Sequence, residues 1–199
     1  MDTSSITIKQ LVGAEAVPHI PDLARLRIQV FREYPYLYDG DEQYEVRHLH
    51  NYSKSGEATI VLAIDNGKII GASTGIPVED DHDTYKKPFI ENGYDLSKVF
   101  YFGESVLLPE YRGLGLYKHF MTGREAYAKS TGRFDLCCFC AVVRPENHPL
   151  KPAEQTPMEQ IWPRYGFTKR RELVTYMPWK DIDKNETDKK PMVFWTKAI

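Results

Sequence analysis

The chain has 199 residues, 42% hydrophobic and 27% charged, which suits one domain with a substantial core and leaves little room for two. A formal net charge of -2 gives no electrostatic reason to expect nucleic acid or an anionic membrane as partner. No apolar run approaches the ~20 residues of a membrane span or forms a signal peptide, so a cytoplasmic location is the default expectation.

Thr3 to Leu11 alternates polar and apolar residues around Ile6 and Ile8, the pattern of a first strand. Pro21 and Asp22 open a helix whose stripe is Leu23, Leu26, Val30 and Phe31, and Tyr34-Pro35 ends it, because a residue before proline disfavours helical geometry. From Tyr34 to Tyr44, aromatics and carboxylates interleave at a turn. Aromatic bodies beside acids suit an organic cation, so Tyr36, Tyr38 and Asp39 are candidate substrate contacts; a packed turn between helices gives the same pattern. A second helix is expected from Asp41 to about Lys54, closed by Gly56.

Thr59 to Asp65 and Lys68 to Ile76 flank Asn66-Gly67, a strong hairpin signal. Val78 to Lys98 is polar, with a short helical piece around Phe89 to Asn92, and its acidic run Glu79-Asp80-Asp81 reads as solvated surface. Tyr101 to Leu108 is an apolar run carrying one charge, Glu104, and stopped by Pro109, the profile of a buried strand. After it, Leu116, Phe120, Gly123 and Tyr127 form one helical stripe that ends at Ser130-Thr131-Gly132.

Phe134 to Val143 is another apolar strand. It holds all three cysteines, too close together for a disulfide framework and without zinc spacing, so they read as small buried hydrophobes. The histidines show no metal spacing either, and no metal is expected. Prolines break Arg144 to Pro152, a short helix follows from about Met158 to Tyr165-Gly166-Phe167, and strands are expected at Glu172 to Met177 and Pro191 to Thr196. The hairpin excludes a purely parallel doubly wound sheet. The expected fold is α/β in the α+β sense: a mixed, mostly antiparallel sheet of about seven strands with helices on both faces.

Between the central strand and its helix lies Arg112-Gly113-Leu114-Gly115, whose glycines let several amides converge beside the positive end of the helix dipole. A nucleoside-triphosphate loop would need Lys-Ser/Thr after its last glycine, where Leu116-Tyr117 stand; a dinucleotide fingerprint would need a third glycine, where Lys118 stands. What remains is R-x-x-G-x-(G/A). With the element order and the Gly166-Phe167 ending of the last helix, the chain resembles the GNAT superfamily of acetyl-CoA-dependent N-acetyltransferases over nearly its whole length, as a single domain spanning 1–199. It departs from the motif at Tyr117, which occupies the final Gly/Ala position.

The resemblance implies acetyl-CoA as co-substrate, with the backbone of Val106, Leu107 and Leu108 pairing with the pantetheine arm. The turn Arg112, Gly113, Leu114, Gly115, Leu116 and Tyr117 would take the pyrophosphate, and Asn147 falls roughly where many members have a cofactor-contacting Asn. The reaction is attack of a neutral amine on a thioester. Holding a lysine-like amine neutral at pH 7 costs about 4.6 kcal/mol, so removing its proton is the larger task. Glu104, the lone carboxylate in the apolar strand, is the candidate base, an anchor for the acceptor's charge, or a structurally satisfied acid. Many members place an acid tyrosine four residues before the glycine of the Gly-Phe pair; here that residue is Trp162, which leaves solvent, Tyr165 or His148 as acid.

The leading expectation is an N-acetyltransferase acting on a primary amine of a small molecule or peptide; a homodimer is allowed by the sequence. A catalytically silent acyl-CoA-binding or sensing module is the alternative, motivated by Tyr117 and Trp162, and a protein-interaction domain without cofactor is a third.

Overall fold

Residues 5–153 and 157–199 are described by the computed structural model, so the expected start of the first strand at Thr3 lies outside the described residues. The strands are β1 (Ile6–Val12), β2 (Thr59–Asp65), β3 (Lys68–Pro77), β4 (Val99–Leu107), β5 (Leu136–Val142), β6 (Thr168–Lys180) and β7 (Thr187–Ala198). They form one seven-stranded sheet in the order β1-β2-β3-β4-β5-β7-β6, antiparallel throughout except for β4 against β5. The mixed, mostly antiparallel sheet expected from the hairpin is therefore present, and Asn66 and Gly67 take the positive φ values that a tight two-residue turn requires.

Helices α1 (Ile20–Phe31), α2 (Glu42–Lys54), α3 (Asp83–Glu91) and α4 (Leu116–Ser130) pack against this sheet. Neighbouring residues of a strand face opposite ways, so Phe100 and Phe102 lie against α4 while Tyr101 lies on the side of α1 and α3. Burying the α1 side chains Ile20, Leu23 and Leu26 contributes roughly 1.5–3 kcal/mol each. Asp41 caps α2 by accepting from the Tyr44 amide at 2.8 Å.

Several boundaries differ from the sequence expectation, among them the start of β6 at Thr168 rather than Glu172. The helical piece expected at Phe89 to Asn92 begins earlier, at Asp83, and runs to Glu91. The hairpin of β6 and β7 is longer at its polar end, where Trp179 pairs with Asp188 beyond the apolar stretch; solvated strand ends carry no hydrophobic alternation to read. The helix expected from Met158 is two 3-10 turns, Met158–Gln160 and Trp162–Tyr165, with Pro163 removing a donor that a continuous helix would need. Among the described residues, no helix is long and apolar enough to cross a membrane.

Two irregularities of β4 shape the site. Its pairing with β5 is confined to Val99–Tyr101 against Leu136–Cys138; beyond that the strands separate, β4 keeping β3 and β5 keeping β7 as partners. Opposite β3, Phe102 faces Gly75 and Ser105 faces Ser73, so Gly103 and Glu104 together oppose Thr74, a bulge that re-aims Glu104.

Candidate active site

The turn after β4 is built to present main-chain donors. Gly113 and Gly115 have φ of +80° and +79°, a left-handed geometry that favours glycine, and a Cβ on either would meet nothing within 4 Å. Local bonds run from Tyr111 N to Leu108 O, Arg112 N to Pro109 O and Lys118 N to Gly115 O. The amides of residues 113–117 find no main-chain acceptor among the described residues, at the positive end of a fifteen-residue helix.

The turn borders a cavity of about 470 Å³ that opens along the end of β4 beyond its pairing with β5 and is also lined by Ser105, Leu107, Tyr117 and Tyr165. Of the three backbone positions expected there, only Leu107 turns its polar groups that way. Leu108 N donates to Ile70 O at 3.0 Å, and alternation in the antiparallel ladder turns Val106 toward β3 as well. Leu107 O accepts from Arg112 Nε and Nη2 at 3.3 and 3.2 Å, while Arg112 Nη1 pairs with Glu33 at 2.7 Å. Asn147 is exposed and lines neither this cavity nor the next one.

A second cavity of about 460 Å³ lies on the other side of Glu104, among aromatic rings from α1, α2, α3 and the strands. Tyr36, Tyr38 and Asp39 all line it, with Phe31, Tyr85 and Trp179. Its floor is an ion triad: Arg27 Nη1 pairs with Glu104 Oε2, and Arg27 Nε donates to Glu45 Oε2 at 2.5 Å. Tyr38 donates to the other oxygen of Glu45 at 2.7 Å. One cation and two carboxylates leave this buried floor with a net negative charge. Burial and the Glu45 partnership push the Tyr38 phenol up, and burial pushes His48, which also lines the cavity, down to about 3, so both stay neutral near pH 7. Asp39 is already held by Lys180 at 2.6 Å and Arg32 at 3.3 Å, which keep its carboxyl below the usual range and its charge largely neutralised.

The wall itself is tied down from behind. Arg144 donates to Pro35 O and Tyr36 O at 2.7 and 2.6 Å and forks onto both oxygens of Asp181, while Trp179 Nε1 also donates to Tyr36 O at 3.0 Å. Burial alone would raise the Asp181 carboxyl, but Arg144 and Lys190 outweigh it and hold it below its ordinary value.

The candidate acids are placed differently from one another. Tyr165 lines the 470 Å³ cleft and stands edge-on to the Tyr117 ring at 5.7 Å. His148 lines neither cavity; it sits behind Tyr34, ring centres 5.8 Å apart, with Nδ1 accepting from the Leu150 amide at 3.2 Å. Trp162 Nε1 donates to Tyr117 Oη at 3.0 Å.

Three features escaped the sequence reading. Arg27 and Glu45 lie on the apolar stripes of α1 and α2, four residues from Leu23 and Leu49, and a charge on such a stripe was the available signal. Arg124, only 2% exposed, donates to Thr74 O at 3.1 Å and Glu104 O at 2.9 Å, the carbonyls at the bulge, and to Ser105 Oγ at 2.7 Å. Burial lowers Arg124 to about 10, which leaves it charged at neutral pH and its guanidinium 4.3 Å from the Phe102 ring centre.

The model of the Acetyltransferase (GNAT) family matches residues 23–152. No curated protein matches the chain in sequence. Solved structures match along nearly its whole length. A ribosomal-protein-alanine N-acetyltransferase from Brucella melitensis has a TM-score of 0.62 at 10% identity, covering 97% of this chain and 99% of its own. An N-acetyltransferase from Staphylococcus aureus has a TM-score of 0.62 at 10% identity, covering 98% and 99%. The acetyltransferase-like yncA from Salmonella typhimurium, solved with its cofactor acetyl-CoA, has a TM-score of 0.60 at 11% identity, covering 98% and 94%. These likenesses are too distant to carry more than the fold, but the family model spans well over half of the sequence: the chain belongs to the acetyltransferase (GNAT) family of acyltransferases.

Proposed function

We propose that the chain moves the acetyl group of acetyl-CoA, a consumed co-substrate, to the primary amine of a small molecule with an aromatic or apolar body. The observation that carries this reading is the meeting of the two cavities on one strand: Glu104 lines the aromatic cavity, its neighbour Ser105 lines the cleft, and Phe31 and Tyr36 border both. An amine entering from one side reaches the floor where a thioester held from the other side would end.

The amides of residues 113–117 suit a pyrophosphate, and the Leu107 main chain suits an amide of the pantetheine arm once Arg112 yields its carbonyl. The negative floor draws the acceptor in as an ammonium. Arg27 holds one oxygen of Glu104 and leaves the other to take the amine's proton, directly or through water, as attack begins. Arg124 steadies the bulge that aims Glu104, and the fastened wall of Tyr36 and Tyr38 excludes water from the amine's apolar body. A cavity of about 460 Å³ fits a small molecule or one side chain better than a folded protein surface.

The test is a panel of primary amines with acetyl-CoA, following release of free thiol. Aromatic and aliphatic small amines should turn over, and Glu104→Gln should lower kcat at least about 10²-fold with little change in acetyl-CoA affinity. Thermal stabilisation by CoA without turnover of any amine would favour a silent acyl-CoA-binding module instead; no stabilisation by CoA would remove both.

A further inference from the structure

We infer that Tyr117, from the first turn of α4, gives the proton to the departing thiolate, filling from another element the role vacated by the tyrosine-to-tryptophan exchange at position 162. The inference rests on the acetyl-transfer reading above.

Hydrogen-bond direction is the first argument. An indole N–H can only donate, so in the 3.0 Å contact between Trp162 Nε1 and Tyr117 Oη the phenol oxygen must accept. The phenol's own proton is thereby free for a different acceptor. Placement is the second argument. Tyr117 lines the cleft together with Ser105, the residue next to Glu104, so the phenol shares a cavity with the strand segment at which the two cavities meet. Rigidity is the third: Trp162 is wedged between Phe139 and Trp195 at 4.9 and 5.0 Å, and Tyr165 stands edge-on to the phenol at 5.7 Å.

Burial, the largest influence, pushes the Tyr117 phenol up while Arg124 and Trp162 moderate the rise, so the proton is present at neutral pH and the phenolate formed on giving it up has two partners. Tyr165 and, across the cleft, Tyr36 are also close enough to act on the phenol. Neither competing acid matches this arrangement. His148 lies outside the cleft lining, and among the described residues no hydrogen-bond partner fixes the direction of the Tyr165 proton.

The step balances. The ammonium first gives one proton through Glu104 to solvent; the neutral nitrogen then forms a bond to the acetyl carbon and loses a second proton to Glu104, the carbon–sulfur bond breaks with its electron pair going to sulfur, and sulfur takes the Tyr117 proton. Transfer of the proton held by Glu104 to the phenolate through water restores both groups.

The exchange also explains why a bulky residue is accommodated where the family motif has Gly or Ala: the ring is folded back onto Trp162 and Tyr165.

The experiment measures Kd for CoA and for desulfo-CoA, which lacks the sulfur, in the wild type and in Tyr117→Phe, Tyr165→Phe and Trp162→Phe. In parallel it follows thiol release from acetyl-CoA with 2-phenylethylamine as probe acceptor. The wild type should prefer CoA over desulfo-CoA about fivefold, the worth of one neutral hydrogen bond. Tyr117→Phe should erase that preference and lower kcat about 10²-fold while KM for acetyl-CoA moves less than about threefold. Tyr165→Phe should change neither, and Trp162→Phe should lower kcat less than Tyr117→Phe does, since the phenol survives. Retention of the preference or of kcat in Tyr117→Phe overturns the assignment, as does tighter acetyl-CoA binding with unchanged turnover, which would make the ring an obstruction. If 2-phenylethylamine is not acetylated, the CoA and desulfo-CoA comparison decides alone. Failure of the wild type to bind either carrier would instead overturn the acetyl-transfer reading itself, and this assignment with it.

Discussion

The two cavities beside β4 are nearly equal in size, about 470 and 460 Å³, and are built in opposite ways. The cleft takes its chemistry from main-chain groups of one contiguous stretch, Leu107 and residues 113–117, with glycine conformations opening the way. The aromatic cavity takes its chemistry from side chains that α1, α2, α3 and four strands bring together, and its charges are mostly engaged by one another. A site made of backbone is sensitive to conformation and tolerant of charge, and a site made of buried side chains is the reverse. On the reading proposed above, the common part of the reaction sits on the first kind of surface, and the choice of amine on the second.

Breaking the buried floor should produce the largest effect. Arg27→Met leaves Glu45 and Glu104 without their shared cation, and we expect a loss of about 3–5 kcal/mol in urea unfolding, with acetyl-CoA affinity of the folded protein within about twofold of wild type. A loss below about 1 kcal/mol would mean that the triad is solvated and the contrast between the cavities is false.

A pH series sharpens the contrast, because Asp81, buried on the α2 and α3 side, is raised by its burial to about 6 from an ordinary 3.8, and its Oδ2 lacks a partner among the described residues. A carboxyl raised in the fold imposes no penalty below 3.8, an increasing one as pH climbs, and its full penalty above about 6. Asp81→Asn should therefore stabilise the protein by up to about 3 kcal/mol at pH 7.5 and by little at pH 4, measured as the difference between variant and wild type at each pH. A pH-independent difference would contradict the burial argument.

Gly115→Val should show the opposite signature from Arg27→Met. Forcing a β-branched residue to φ +79° costs about 1–2 kcal/mol of stability, and we expect acetyl-CoA affinity to fall about tenfold in calorimetric titration while the aromatic cavity stays intact. Unchanged affinity would mean that the turn does not face the carrier.

The same contrast explains what could be read before folding. Gly113-Leu114-Gly115 between an apolar strand and an apolar helical stripe, and Asn66-Gly67 between two strands, are local signals whose geometry follows from the residues themselves. The 3-10 turns at 158–165 and the polar ends of β6 and β7 were less legible, since proline content and solvated strand ends leave no clear period. Glu104 stood out as the one charge in an apolar run, but its partner Arg27 lies 77 positions earlier, and only tertiary packing joins them. Arg124 was hidden for the same reason: on a helix it is an ordinary residue, and the bulge carbonyls it serves are identified only by the register of β3 against β4. The bond between Trp162 and Tyr117 unites two departures from the family motif that the sequence shows as separate oddities.

Amide hydrogen exchange with and without acetyl-CoA, resolved at single residues, tests the central claim most directly. Added acetyl-CoA should protect Leu107 and residues 113–117, while Val106 and Leu108, already turned to β3, change little beyond any global stabilisation. Equal protection across β4, or none in the turn, would contradict a carrier held by the main chain where β4 parts from β5.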